Sequence, residues 1–560
     1  MILPDDRTEN GVNVGRIQRH GLFRNTIRLC DVSRDDRKAR NRRYRSFYLT
    51  GTDTNDRVRH NKLKEHVKFS SSYLYDPNSV RFGVSLPPHY GDQFLDEEEI
   101  IRAELHRIWD DSPDPITLGI AVDWAHVWDT VILKVYVAEN QATISLVPET
   151  GDVGVLDESM DRWEDQEAVC HWYSLSIPQL RRVMVQHPDA ALARRVMEAA
   201  KLYAAPMQEP QSMALPPAVE RIILASASPN MVGQVQNMAD SLLALPRVGE
   251  PVVPMAELWV WDDYLDDYRV VTNFLKTEDI IWERPNPLLR GDHPFYGLTL
   301  GPTPGYLWGI CPLEDLIGLQ AWQDQKVKDL DTRDDLQIKP PTFFKGFTGI
   351  TDEIAERFNA PNANLSSGNP TAEIQRLGPQ PLPDPFGMLD RIDMMFARQG
   401  GLPRQLTGQA DANVRSEGQA QTQAVLGAGP TFRLAMYVER CLAELATAKL
   451  RLHRQIYAQP LIKSDGAKFL LSQVPEEIRA RVWAHSQSPV YAQRLMEKAT
   501  LAITHKAITP EDYLELLDLP MGDILRAKGR RLAKSQAAMQ EKMLELKEKE
   551  VQAKVVKAMK

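Results

Sequence analysis

A chain of 560 residues is too long for one small core, and ordinary domain sizes predict roughly three or four modules. Hydrophobic residues make up 43% and charged residues 26%, the balance of a folded globular protein, and no apolar run is long enough to span a bilayer. A formal net charge of -9 argues against a chain that holds DNA by neutralising phosphates, although like charge would let a duplex slide past without sticking. Cys30, Cys170, Cys311 and Cys441 stand at neither zinc-ligand nor redox spacing, so reduced thiols, no metal and no cofactor are expected. The opening Met-Ile-Leu-Pro-Asp-Asp has no basic stretch before an apolar one, which predicts no signal peptide.

In chain order, the first half predicts a mixture of helix and strand. Arg34–Tyr48 is rich in arginine with Tyr44, Phe47 and Tyr48 interleaved; on a helix Arg37, Arg40, Arg43 and Tyr44 would share a face. Glu98–Trp109 has a helical apolar pattern. Val131–Val137 and Ala142–Val147 alternate around a polar break, a hairpin signal. Pro178–Tyr203 predicts a helix interrupted at Pro188, followed by a proline-rich connector, Pro206–Pro217. Glu257–Trp261 and Tyr268–Phe274 predict a second hairpin across a turn with Asp262, Asp263, Asp266 and Asp267.

The middle of the chain carries more pattern. Pro312 suits a first helical turn, and Glu314 and Asp315 suit the positive end of the helix dipole. Leu316, Leu319, Trp322, Val327 and Leu330 then recur at helical spacing, and the helix should end before Pro340 and Pro341. Thr342–Pro383 is less regular, with a short helical segment expected near Ile354–Phe358. Asp384 caps a second helix with Pro385 behind it, Phe386, Leu389, Ile392 and Phe396 on its apolar face, and Gly400, Gly401 and Pro403 at its end. After a polar loop, Arg404–Arg415, Ser416 and Gln419 form a capping-box pattern for a long helix kinked at Gly427, Gly429 and Pro430. Leu434, Val438, Leu442, Leu445 and Leu452 carry its stripe. From about Pro475 the chain is expected to be helical and highly charged, ending in the Lys/Glu-rich stretch Lys534–Lys560.

Four stretches, in this order, resemble the portal proteins of tailed bacteriophages. Glu257–Pro287 is similar to the last wing strands of that family. Gly305–Leu330 (GYLWGICPLEDLIGLQAWQDQKVKDL) is similar to its first stem helix, and Pro383–Gly408 (PDPFGMLDRIDMMFARQGGLPRQLTG) to its second with a Gly-x-Pro exit. Val414–Leu452 is similar to the end of the tunnel loop and the long kinked helix; residues before Glu257 fit in general character only. The resemblance implies an α+β portal fold in a dodecameric ring at one capsid vertex, conducting double-stranded DNA during packaging and ejection. By position it places a wing at 1–311, stem helices at 312–341 and 384–401, a clip at 342–383 and a tunnel loop at 402–416. The kinked helix and return segment fall at 417–474, and a crown with helical tail at 475–560. Implied partners are further copies of the chain, the large terminase ATPase, a tail adaptor, the major capsid protein and scaffold, and non-specifically held DNA, with no membrane. The implied location is the virion, and the host cytoplasm during assembly.

The resemblance also assigns roles. Arg404, Gln405, Gln409, Asp411, Asn413 and Arg415 would ring the channel and touch phosphates weakly; taken alone, the same stretch is a solvated loop. Leu316, Leu319, Trp322, Phe386, Leu389, Ile392 and Phe396 would meet neighbouring subunits, because two helices alone leave an apolar side uncovered. Met388, Met394 and Met395 fit the same helix packing. For Arg34–Tyr48 a subunit-contact surface is preferred over a nucleic-acid patch, with local ion pairs to Asp31, Asp35 and Asp36 also open. The four aspartates suit a solvated turn better than a cation site, lacking the glycine and spacing of an EF-hand loop. Lys534–Lys560 suits an exposed helix with pairs such as Glu545 with Lys549. Phosphate-loop, zinc-helix and nucleophile-elbow motifs are missing, so no enzyme activity is expected. The rival readings are a metal-dependent nuclease or packaging ATPase, or another virion protein such as a coat or tail-adaptor protein.

Overall fold

Period-two alternation builds strands where it occurs and 3.6-residue periodicity builds the helices around them. The computed structural model describes Leu3 and residues 8–9, 12–50, 61–77, 80–85, 95–138, 141–147, 149–185, 187–206, 251–287, 291–338, 342–345, 371, 373–376, 385–400, 429–457, 460–462, 468–483, 500–501 and 503–504. The chain divides into two compact units, Met1–Ala484 and His485–Lys560, and every element below belongs to the first.

The short pair β1 (Thr8–Glu9) and β2 (Val12–Asn13) leads into helices α1 (Val14–Cys30), α2 (Arg34–Thr50) and α3 (Lys62–Leu74). Strand β3 (Arg81–Ser85) and helices α4 (Leu95–Asp110) and α5 (Asp114–Val127) follow. Next come β4 (Val131–Ala138), β5 (Gln141–Leu146), β6 (Val153–Val155), β7 (Ala168–Ser176), α6 (Ile177–Val185) and α7 (Ala190–Tyr203). Strands β8 (Ala205–Pro206), β9 (Pro251–Asp262), β10 (Asp267–Phe274), β11 (Asp279–Pro285) and β12 (Phe295–Leu298) complete the first half. The second half holds α8 (Glu314–Ile338), β13 (Thr342–Lys345), β14 (Glu373–Arg376), α9 (Pro385–Gln399), α10 (Gly429–Ile456), β15 (Pro460–Ile462), β16 (Lys468–Leu470) and β17 (Arg479–Trp483). The architecture is mixed α+β, and every pairing between these strands is antiparallel.

The largest sheet has the order β11-β10-β9-β7-β6, with β8 also on β9. Strand β9 is apolar almost throughout because both of its faces are covered. Ala256, Leu258 and Val260 pack on Phe23 and Ile27 of α1. On the other face Val253 and Met255 pack on α6 and α7, and Trp259 joins a cluster with Ile132 and Phe295 of the three-stranded sheet β12-β4-β5. Between Met255 and Trp259 on that second face stands Glu257, fully buried. Its Oε1 lies 3.4 Å from Lys134 Nζ of β4 and accepts the Trp259 indole N–H at 2.6 Å. Lys134 Nζ is also 3.5 Å from His171 Nδ1 and 4.9 Å from the Phe295 ring centroid. Burial, and then the Lys134 charge, push His171 well below the ordinary histidine range.

A second core gathers α3, α4, α5, α10 and the bases of α8 and α9. Val438, Leu442, Leu445 and Leu452 run along α10 as a buried stripe. Beside them buried Lys449 pairs with Asp114 and donates to Ile108 O at 2.8 Å and Ser112 Oγ at 2.9 Å. Asp114 in turn accepts Ile144 N–H at 2.9 Å, so one ion pair ties α10, α4, α5 and β5 together.

One expectation is corrected. The chain beyond Pro475 is not helical at 479–483: those residues form β17, paired with β3. Ile478 and Ala480 are buried while Arg479 and Arg481 are exposed, which is a strand period. Helix α8, Glu314–Ile338, ends before Pro340 as expected, and pairs such as Gln325 with Asp329 (2.8 Å) and Lys326 with Asp329 (3.0 Å) support its outer turns.

Candidate functional site: a projecting helix pair

Helix α8 leaves the core and α9 returns to it. Leu316 and Leu319 near the start of α8, and Ile392 and Phe396 near the end of α9, are buried in the same core. At the opposite ends β13, just after α8, pairs antiparallel with β14, just before α9. The two helices therefore run antiparallel and carry a strand pair at their far end.

Helix α3 fastens the near end. Gln320 of α8 is buried, and its Oε1 accepts the N–H groups of Lys62 (2.9 Å) and Leu63 (3.3 Å), which helix geometry leaves unpaired at the start of α3. Asn61 accepts a third, from Lys64, at 3.0 Å. Lys62 Nζ lies 3.5 Å from Asp393 of α9. His66 presses on Gly400, where a Cβ would come within 2.4 Å of the ring, so the close approach itself requires glycine. Burial and the neighbouring His126 lower the His66 pKa to about 4, and burial lowers His126 to about 4. Sequence reasoning missed this bracket, although one signal existed: Gln320 is a polar residue on an otherwise apolar helix face.

Of the residues expected to meet neighbouring subunits, Leu316, Leu319, Ile392 and Phe396 are covered by the chain's own core, and Leu389 is partly buried against it. Trp322 stays exposed, as do Met388, Met394 and Met395. Phe386 lies in α9, with its side chain outside the described residues. The helical segment expected near Ile354–Phe358, the loop residues Arg404, Gln405, Gln409, Asp411, Asn413 and Arg415, the Ser416 cap, the kink at Gly427 and the stretch Lys534–Lys560 also lie outside them. The described chain stops at Gly400 and resumes at Gly429, so these residues lie in sequence between α9 and α10.

One side of the arginine-rich helix α2 faces inward. Arg37 is buried, donates to Val153 O at 2.7 Å and lies 3.5 Å from the Trp308 ring centroid. Arg40 and Asn41 both reach Asp129 at 3.0 Å, Lys38 reaches Asp152 at 2.7 Å and Arg42 reaches Glu149 at 3.1 Å. These partners lie around β4–β6; of the nearby aspartates, Asp31 pairs with Arg34 at 3.2 Å. The aspartate turn is also more tied than a solvated turn. Buried Asp262 binds Arg269 through two nitrogens, at 3.0 and 2.6 Å. Among the described residues, no three His, Cys, Asp or Glu side chains converge as a metal site. The four cysteines are buried, and burial pushes Cys30 and Cys311 up to about 12, far from reactive thiolates. No described helix is long and apolar enough to cross a membrane.

No family model matches the sequence, and no curated protein does. Among solved structures, the chain is similar to one in the neck of an empty gene transfer agent particle computed with C6 symmetry. There the TM-score is 0.39 and the identity 10%, covering 86% of this chain and 93% of that one. It is also similar to a chain of the native gene transfer agent virion, with a TM-score of 0.26 and 15% identity, covering 61% of this chain and 93% of that one.

Proposed function

We propose that the chain is one subunit of a portal ring: a non-enzymatic structural protein that forms a dodecamer and conducts double-stranded DNA through its centre. The observation that carries this reading is the antiparallel helix pair α8–α9, rooted in the subunit core by α3 and tipped by the β13–β14 strand pair. A stem with a clip at its end has that order, and the segment between α9 and α10 in sequence has the place of a tunnel loop. On this reading Trp322 and the three methionines are the stem's contacts with neighbouring subunits, and Leu316, Leu319, Ile392 and Phe396 hold its root. The clip, 342–383, meets the terminase ATPase during packaging and the tail adaptor afterwards. The wing faces the capsid protein and scaffold, and the complex resides in the virion.

Arg404 and Arg415, with the amides between them, reach phosphates rather than base edges, so DNA passes without regard to sequence. Electron micrographs of the purified chain should show rings with a central channel, and nucleotide-hydrolysis assays should show no turnover. Deleting 342–383 and joining the helices should leave rings intact but abolish ATPase docking. Arg404→Ala and Arg415→Ala should leave assembly intact and alter how much DNA is packaged or retained. A monomer at all concentrations, or rings with no channel, would overturn the reading.

A further inference from the structure

Two exposed features of one subunit, neither explained by its own fold, complement each other. The first is the tip of the β9–β10 hairpin, Asp263-Tyr264-Leu265-Asp266. All four residues are exposed, Tyr264 to 78%. The tip is nevertheless tightly held. Asp262 accepts the Tyr264 N–H at 3.1 Å through its carboxylate and the Leu265 N–H at 3.1 Å through its carbonyl. Asp267 accepts from Tyr268 (2.7 Å), Gly291 (2.9 Å) and the Asn286 amide (3.1 Å). Asp266 itself sits at φ 49°, a left-handed conformation that aspartate tolerates better than most residues. An aromatic and an aliphatic side chain are thus held out in water between two carboxylates, with the ordering cost of binding already met on folding.

The second feature lies on α5 and α2. Ile116, Ile120 and Trp124 stand at successive turns of α5, with Ile116 68% and Ile120 45% exposed. The Trp124 ring lies 5.6 Å from that of Tyr48, which carries the stripe onto α2, where Leu49 is 50% exposed. Arg45 stands 5.9 Å from the same Trp124 ring, and Asp123 is an acidic group beside Tyr48. An exposed apolar stripe with an arginine at its edge is the kind of surface that docks a partner.

Both features are open in one subunit, so they do not cover each other within it. We infer that the hairpin tip of one copy seats on the α2–α5 patch of the next, with Tyr264 and Leu265 against Ile116, Ile120 and Trp124 and a flanking aspartate toward Arg45. The occupant is a second copy of this chain, chosen by matched apolar groups and opposite charge. A knob and a patch at different places on one molecule make a head-to-tail contact, which closes into a ring or runs on as a filament. Only the closure rests on the portal reading.

Because the native cysteines are buried, introduced surface cysteines would be the reactive ones. Full-length Leu265→Cys is mixed with full-length Ile120→Cys under mild oxidation, and Leu265→Cys with Ile17→Cys on α1 serves as the mismatched control. A disulfide-linked dimer is expected from the matched mixture alone, and a ladder of larger species when Leu265→Cys and Ile120→Cys share one chain. Tyr264→Ser and Ile120→Asp should each raise the concentration needed for assembly roughly tenfold or more, with monomer thermal unfolding unchanged. No cross-link above the control overturns the contact. Parent rings in the micrograph without that cross-link overturn the contact and leave the portal reading standing. A ladder that never closes keeps the contact and sinks the ring, and monomers without cross-links sink both.

Discussion

Lys134 and Lys326 each face a carboxylate, and the fold uses them in opposite ways. Lys134 Nζ is 3.4 Å from Glu257 between two sheets, with both side chains fully buried. Lys326 Nζ is closer to its partner, 3.0 Å from Asp329, but both stand in water on the outer part of α8. The longer contact is the one the fold depends on, because there is no water to replace a lost partner. The sheet half thus uses charge to fix how its layers sit. The outer helix pair uses charge to keep a projecting surface solvated.

Removing one partner of the buried pair should give the largest effect of the single substitutions. Glu257→Leu leaves the Lys134 ammonium buried and the Trp259 indole N–H without its acceptor, and should cost about 3–5 kcal/mol in denaturant unfolding. Adding Lys134→Met should restore more than half of that loss, since the buried charge goes with it. A cost for Glu257→Leu below about 1 kcal/mol would mean that the pair does not hold the sheets.

Acid should act next, through the bracket beside the helix pair. His66 and His126 are held neutral by burial, with folded values of about 4 against 6.5 in an exposed chain. Their contribution is complete above about pH 6.5 and lost as pH falls toward 4, at up to about 1.4 kcal/mol per pH unit for each histidine. Glu104 works lower down. Burial alone would raise it, but hydrogen bonds from Arg107 and His453 outweigh that and hold it at about 2, so its contribution is present above pH 4.5 and fades as pH falls through about 2. Unfolding midpoints measured from pH 7 to 4 should fall in the parent and fall less steeply in His126→Gln; equal slopes would rule out the histidines as the cause. Gly400→Ala should cost less, about 1–3 kcal/mol, because the new methyl drives into His66. On the portal reading it should also alter DNA retention, since Gly400 begins the loop.

What was legible in the sequence followed from local periodicity. The hairpins at 131–147 and 257–274, the break between α6 and α7, and the Leu434–Leu452 stripe each need only neighbours within a few residues. Partners far along the chain were not legible. Strand β17 pairs with β3 about 400 residues away, as Trp483 meets Arg81, and its five residues were too short a run to outweigh the charged context. The α2 clamp looked like a surface because Asp129, Glu149 and Asp152, its main partners, are about a hundred residues downstream. The apolar faces of α8 and α9 were readable, but not that α3 of the same chain would fasten them at the root. The channel role of Arg404–Arg415 rests on the resemblance, since those residues lie outside the described chain.

The smallest expected effect sharpens the comparison from the other side. Lys326→Ala breaks the pair with Asp329, but each group is hydrated before and after, so little desolvation is recovered or lost. Gln325 still donates to Asp329 at 2.8 Å, and alanine favours helix at least as well as lysine. The denaturant midpoint of the monomer should therefore stay where it is, at low salt and high salt alike. A clear fall that grows with protein concentration would mean that this stretch of α8 is covered by a neighbouring copy. The outer helix would then resemble the sheet half, with Lys326 a buried interface charge, and the subunit contact would extend well beyond Trp322 toward the strand pair.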